Sequence, residues 1–153
     1  MKKLITILTI ACGINLYGQD PVDHWATIVN QSQSWKYKIP SAPVTGWETP
    51  GFNDASWNSG LSSIGYGDGD DATVIATGTV CVYMRASFNV LDTSNIEKAF
   101  LHVDYDDGFV AYLNGTEIAR SNMTGLPPAY NELAAAQHEA VMYTGGTPDA
   151  YPL

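Results

Sequence analysis

Two short runs, Phe109 to Leu113 and Thr116 to Arg120, are separated by Asn114 and Gly115 alone. An Asn-Gly pair between strand-like runs is the strongest local signal for a tight β-hairpin, because the type I′ turn needs positive φ at both central residues. That pair therefore fixes one antiparallel contact before anything else is read. Upstream, Phe100 to Tyr105 alternates Leu101, Val103 and Tyr105 with His102 and Asp104, and Asp106-Asp107-Gly108 offers a turn into Phe109. The three runs read as a meander. Phe109 to Leu113 is apolar on both faces, as in a strand inside a two-layer structure.

The same period of two runs from Val80 to Val90, with Val80, Val82, Met84, Ala86, Phe88 and Val90 on one side and Cys81, Tyr83, Arg85, Ser87 and Asn89 on the other. This predicts a long strand with the first set facing inward. Trp25 to Val29 and Ser34 to Ile39 predict two further short strands, and the Pro-, Gly-, Asn- and Ser-rich stretch from Pro40 to Gly69 reads as long loops packed around Trp47, Phe52 and Trp57. Helix signal is confined to Asn131 to Met142, where no clean apolar stripe supports more than one short helix or an ordered loop. The fold class is all-β, a mostly antiparallel β-sandwich.

At 153 residues the chain holds about one domain, and its 14 Gly and 8 Pro suit short strands and many turns. With 7 basic against 16 acidic residues there is no basic stripe for a nucleic-acid backbone. Lys2 and Lys3 precede an apolar run from Leu4 to Ile14, and Gly18-Gln19 ends it at a polar start. This is the pattern of a secretory signal peptide over residues 1–19, with the domain over 20–153. The apolar run is shorter than the ~20 residues that span a bilayer, so no membrane insertion is expected after cleavage, and the product is secreted or held at the cell surface. Lipidation at Cys12 is disfavoured by Thr9 three residues before it. Loss of Lys2 and Lys3 leaves 5 basic against 16 acidic residues, a net charge of −11. Cys81 is then alone; no Cys/His signature surrounds it, and it reads as a small half-buried strand residue rather than a nucleophile.

Enzyme motifs fail on inspection. His138-Glu139 begins like a zinc-protease helix, but Met142 stands where the second His belongs, and Gly60-Leu61-Ser62-Ser63-Ile64 lacks the closing Gly of a nucleophile elbow. Gly65-Tyr66-Gly67-Asp68-Gly69 has the glycines of a phosphate loop without a following Lys, and its acids would repel a phosphate. Two acidic clusters, Asp68, Asp70 and Asp71, and Asp104, Asp106 and Asp107, have the oxygen chemistry of a calcium site, with the first as the candidate metal site. Neither follows the EF-hand loop: Ala72 and Gly115 occupy ligand positions. Both clusters also read as turns, since Asp bonds its own backbone and Gly accepts positive φ. Trp and Tyr stack on the C–H faces of sugar rings while Asp, Asn and Arg bond the hydroxyls. Trp47 and Tyr66 lie in loop-like sequence and are the candidate carbohydrate-binding residues, whereas Trp35 and Trp57 read as packing residues.

Taken as an ordered series, Trp35-Lys36-Tyr37, Trp47, Phe52-Asn53-Asp54-Ala55-Ser56-Trp57, Ile64-Gly65-Tyr66-Gly67-Asp68-Gly69-Asp70-Asp71, Tyr83-Met84-Arg85-Ala86-Ser87-Phe88, Asp104 through Gly115 and Ile118-Ala119-Arg120 resemble a jelly-roll domain of large secreted bacterial proteins. That domain is similar to the galactose-binding superfamily and to the sugar-binding domain of family 2 glycoside hydrolases. The nearest likeness is to the N-terminal module of secreted proteins with a spore-coat protein H kinase-like domain further on, often with a lamin-tail domain and a type IX sorting signal. The resemblance implies a non-catalytic accessory module whose usual role is carbohydrate or surface attachment. It also implies that partners are a glycan and downstream domains of the same polypeptide. Such domains end in a strand rich in Gly-Glu-Asn, whereas here the sequence ends Asp149-Ala150-Tyr151-Pro152-Leu153, so the expectation is a jelly roll lacking its last strands, with an unpaired edge. The alternative is a structural spacer or adhesion domain, or an accessory domain of a kinase-like secreted enzyme whose catalytic part lies beyond residue 153.

Overall fold

A computed structural model describes residues 25–153 apart from 31, 68 and 95; the signal-peptide reading and Asp68 lie outside the described residues. The chain is all-β with predominantly antiparallel pairing. Strand β1 (Ser34–Lys38) is the centre of a three-stranded sheet, flanked by β2 (Asn58–Leu61) and β5 (Tyr83–Arg85), both antiparallel to it. Strands β3 (Ile64–Gly65) and β4 (Thr73–Val74) form a short parallel pair. β6 (Phe100–Val103) pairs antiparallel with β9 (Asp149–Pro152), and β7 (Phe109–Leu113) with β8 (Thr116–Ser121).

The hairpin is built as its turn demands. Asn114 and Gly115 have φ of 53° and 85°, so both central positions lie in the left-handed region, where glycine carries no Cβ penalty. Leu113 and Thr116 close the turn, and one register shift between Ala111 and Tyr112 places a bulge further along.

Two aromatic nests stand in for a large aliphatic core. In the first, Trp57 is only 6% exposed. Phe52 meets its edge at 5.5 Å, and Trp57 lies 6.4 Å from Tyr83 of β5, which stacks on Trp47 at 4.7 Å and 8°. Trp47 in turn meets Tyr112 of β7 edge-on at 5.6 Å, so the rings tie the three-stranded sheet to the hairpin. Burying one such ring removes roughly 200 Å² from water and contributes roughly 5 kcal/mol at most. Arg85, on the same face of β5 as Tyr83, holds the loop that carries these rings: its guanidinium donates to Asp54 Oδ2 at 2.9 Å, to the carbonyl of Thr49 at 3.1 Å and to the carbonyl of Trp47, and lies 5.3 Å over Phe52.

The second nest centres on Tyr105, 8% exposed, against Phe109 at 4.8 Å and His138 at 4.0 Å, with Phe109 reaching Tyr151 of β9 at 5.2 Å. It joins the β6–β9 ribbon to the hairpin. The segment after β8 is an ordered loop closed by Glu132, whose carboxylate accepts the N–H groups of Thr124, Gly125 and Ala129. Only a single 3-10 turn, Met142–Thr144, follows, which agrees with an ordered loop over Asn131 to Met142.

Several expectations are corrected. Residues 25–29 form no strand, and Trp25 and Ile28 are exposed. The long strand over Val80 to Val90 contracts to Tyr83–Arg85, the three residues that pair with β1, and Val80, Phe88 and Val90 are exposed. The stretch read as loops contains β2 and β3, whose small residues Asn58, Ser59, Gly60 and Gly65 carry no strand pattern. β6 does not continue a meander into β7; it pairs with the C-terminal residues Asp149–Pro152, where no strand had been expected.

Candidate functional site

The residues singled out for sugar contact are held by different elements. Trp47 is half-buried, its indole stacked on Tyr83 and its carbonyl taken by Arg85, so it belongs to the first nest. Tyr66, just past β3, is 37% exposed and its hydroxyl donates to the Thr79 carbonyl at 3.4 Å. The loop beside it, residues 66–72, is bracketed by Ser63, whose Oγ donates to the Asp70 carbonyl and accepts from the Ala72 N–H, both at 3.3 Å. The carboxylate of Asp71 lies over Gly65: a Cβ there would fall 2.6 Å from Asp71 Oδ1 and would require that carboxylate to shift. These are the contacts of a closed turn.

The second acidic cluster is also occupied by backbone. Asp104 accepts the N–H of Val141 at 2.8 Å on one oxygen and that of Met142 at 3.0 Å on the other. Asp107, at φ of 59°, accepts the N–H of His138 at 3.1 Å and donates its own N–H to the His138 carbonyl at 2.8 Å. These carboxylates clamp the 138–142 segment and do not converge on a common point. Among the described residues no group of three His, Cys, Asp or Glu side chains is placed to hold a metal ion.

A polar cluster sits inside the second nest. The Tyr105 hydroxyl lies 2.8 Å from Ser121 Oγ and 3.1 Å from Asp149 Oδ2, and burial pushes its pKa from 10.0 up to about 12, with Tyr151 and Asp149 acting in the same direction. His138 Nδ1 donates to the Tyr105 carbonyl at 3.0 Å, and its Nε2 stands 3.7 Å from Asp149. The group facing the serine hydroxyl is a phenol, so this is not the serine–imidazole pair of an activated nucleophile. Cys81 is half-buried, and burial raises its thiol pKa, which disfavours the reactive thiolate.

The feature that sequence reasoning missed lies on the outer face of the β6–β9 ribbon. Opposed residues of an antiparallel pair share a face. Phe100 opposes Pro152 and His102 opposes Ala150, and all four are exposed, while Leu101, Val103 and Tyr151 turn inward. Trp25 stands edge-on to Phe100 at 5.6 Å, and Phe100 lies 6.3 Å from His102. The result is a contiguous group of three rings in which Trp25 is 65% and Phe100 43% exposed. The alternation of Phe100 to Tyr105 held part of this signal, since it sets Phe100 and His102 on the face opposite Leu101 and Val103. Nothing local in the sequence marks Trp25.

Comparison with protein-family models, with curated proteins and with solved structures gave no match.

Proposed function

We propose that this chain is a non-catalytic carbohydrate-binding module, exported as part of a larger polypeptide and folded as a β-sandwich of the jelly-roll type. The observation that carries the reading is the exposed ring group Trp25, Phe100 and His102. Aromatic rings left in water on and beside a strand face retain the apolar surface that a sugar's C–H face would cover, and the imidazole of His102 adds a hydrogen-bonding group. The resemblance to galactose-binding domains supports the same assignment, as does the acidic exported portion, which suits a neutral ligand better than a polyanion. Trp47 supports the fold in this account, and Tyr66, bonded to the Thr79 carbonyl, is not part of the ligand face.

The test is titration of the full chain against a glycan panel, with and without calcium. Saturable binding that is lost in Trp25→Ala and Phe100→Ala is expected; absence of saturable binding to every glycan removes the sugar assignment. A spacer or adhesion domain is the second reading, favoured by apolar side chains standing in water elsewhere, Val74, Leu91, Leu126 and Leu133 among them. That reading expects no glycan ligand and association with protein surfaces instead.

A further inference from the structure

We propose that His138 is a pH-dependent clasp on the C-terminal strand: protonated, its imidazole ties the 138–142 segment to Asp149 of β9, and neutral, it leaves that tie unmade. The tautomer carries the argument. Nδ1 stands 3.0 Å from the Tyr105 carbonyl, an oxygen that only accepts, so the single ring proton of the neutral imidazole sits on Nδ1. Nε2 then presents a lone pair to Asp149 Oδ2, 3.7 Å away, and two acceptors make no hydrogen bond. A second proton has one place to go, Nε2, and there it turns the same approach into an attraction between imidazolium and carboxylate.

The surroundings hold the ring ready for this. It lies flat against Tyr105, at 4.0 Å and 10°, and the N–H and carbonyl of His138 are both bonded to Asp107. The Tyr105 hydroxyl donates to Asp149 Oδ2 at 3.1 Å, so the carboxylate is already seated in the nest and has only roughly 1 Å to move to reach a charge-assisted bond. The charged groups that meet this segment are acids: Asp149 on β9, Asp107 in the turn before β7, and Asp104 after β6, which accepts the N–H groups of Val141 and Met142. Glu139 adjoins on its own segment, and Tyr105 and Tyr151 are phenols that bond Asp149. Among the described residues no Lys or Arg pairs with Asp104, Asp107 or Asp149, so the imidazolium is the cation of the cluster. Asp149 opposes Val103 in the two-stranded β6–β9 ribbon, so the clasp acts on the pairing of β9 itself. The tie is made at the acid end of the histidine range, roughly pH 5, and is lost toward roughly pH 8.

The His138 and Asp149 side chains are 30% and 50% exposed, and water screens such a pair, so the gain in pairing is about two- to fivefold. The experiment is native-state hydrogen exchange of the full chain at about pH 5.5 and about pH 7.5, corrected for intrinsic exchange, with nitrogen-15 spectra of the imidazole. Expected is protection of the β9 amides about two- to fivefold greater in the acid sample, a gain absent from His138→Gln and from Asp149→Asn, and an Nδ1-protonated ring at the higher pH. Equal protection at the two pH values in the wild type, a gain that survives either substitution, or an Nε2-protonated neutral ring would overturn the proposal. The wild-type comparison and the tautomer need no variant, so they decide the matter even where a substitution unfolds the chain.

Discussion

Arg85→Ala tests how the first aromatic nest is held. The wild-type guanidinium is 14% exposed and supplies hydrogen bonds to one carboxylate and two carbonyls while covering Phe52. Charge-assisted bonds contribute about 1.5–3 kcal/mol each in isolation, but three on one head group are not additive. Asp54 is 28% exposed, so water recovers part of its solvation, and the loss should fall short of the ~3–5 kcal/mol seen on breaking a fully buried pair. We expect about 2–4 kcal/mol, a large share of the ~5–15 kcal/mol available to a domain. With a urea m-value of about 1–3 kcal/mol/M, the midpoint should fall by about 1–2 M at unchanged slope. Arg85→Lys keeps the charge without the fork and should lose about half as much. Near-ultraviolet circular dichroism of the Trp47–Tyr83 stack should weaken together with stability. A loss below about 0.5 kcal/mol for Arg85→Ala would refute the claim that this side chain organises the 47–57 loop.

Three further outcomes follow from the geometry. The raised pKa of Tyr105 means that the folded state prefers the neutral phenol, so its contribution is intact below pH 10.0 and is lost as pH climbs toward about 12. Alkaline unfolding should become easier through that window, and Tyr105→Phe, itself about 1 kcal/mol less stable at neutral pH, should lack this component. Glu132 is held below its ordinary 4.5 by the N–H groups of Gly125 and Thr124, so its hold on the 124–132 loop is complete above that value and fades as pH falls; proteolysis of the loop should accelerate in acid, and Glu132→Gln should show that susceptibility at neutral pH. Gly115→Ala places a Cβ at φ of 85°, where the nearest atom, Thr49 Cγ2, is at an ordinary 3.5 Å, so backbone strain alone should destabilise by about 1 kcal/mol in thermal unfolding.

The hairpin was readable because its determinant is local: positive φ at two adjacent residues leaves Asn114-Gly115 few alternatives. β1 was legible for the same kind of reason, a short run of Trp35, Lys36 and Tyr37 within residues bounded by turns. What the pattern concealed is non-local. Whether Val80 to Val90 pairs along its length, and whether β6 meets β7 or β9, each depends on a partner about 50 residues away, which alternation cannot report. The acidic clusters show a similar limit. Asp104 and Asp107 are chemically fit for a cation, and it is the return of residues 138–142 that converts them into clamps on backbone N–H groups. Trp47 lies in loop-like sequence, and its stacking on Tyr83 and edge contact with Tyr112 come from residues far along the chain that local pattern does not report.

The claim that a strand face, and not the 47–66 loop region, receives the ligand is tested most directly by mapping the bound glycan with nuclear magnetic resonance. Adding a neutral trisaccharide should shift the resonances of the Trp25 indole, the Phe100 ring and His102 along one saturation curve while those of Trp47 stay in place. Shifts centred on Trp47 and Tyr66, with the β6 face silent, would contradict it.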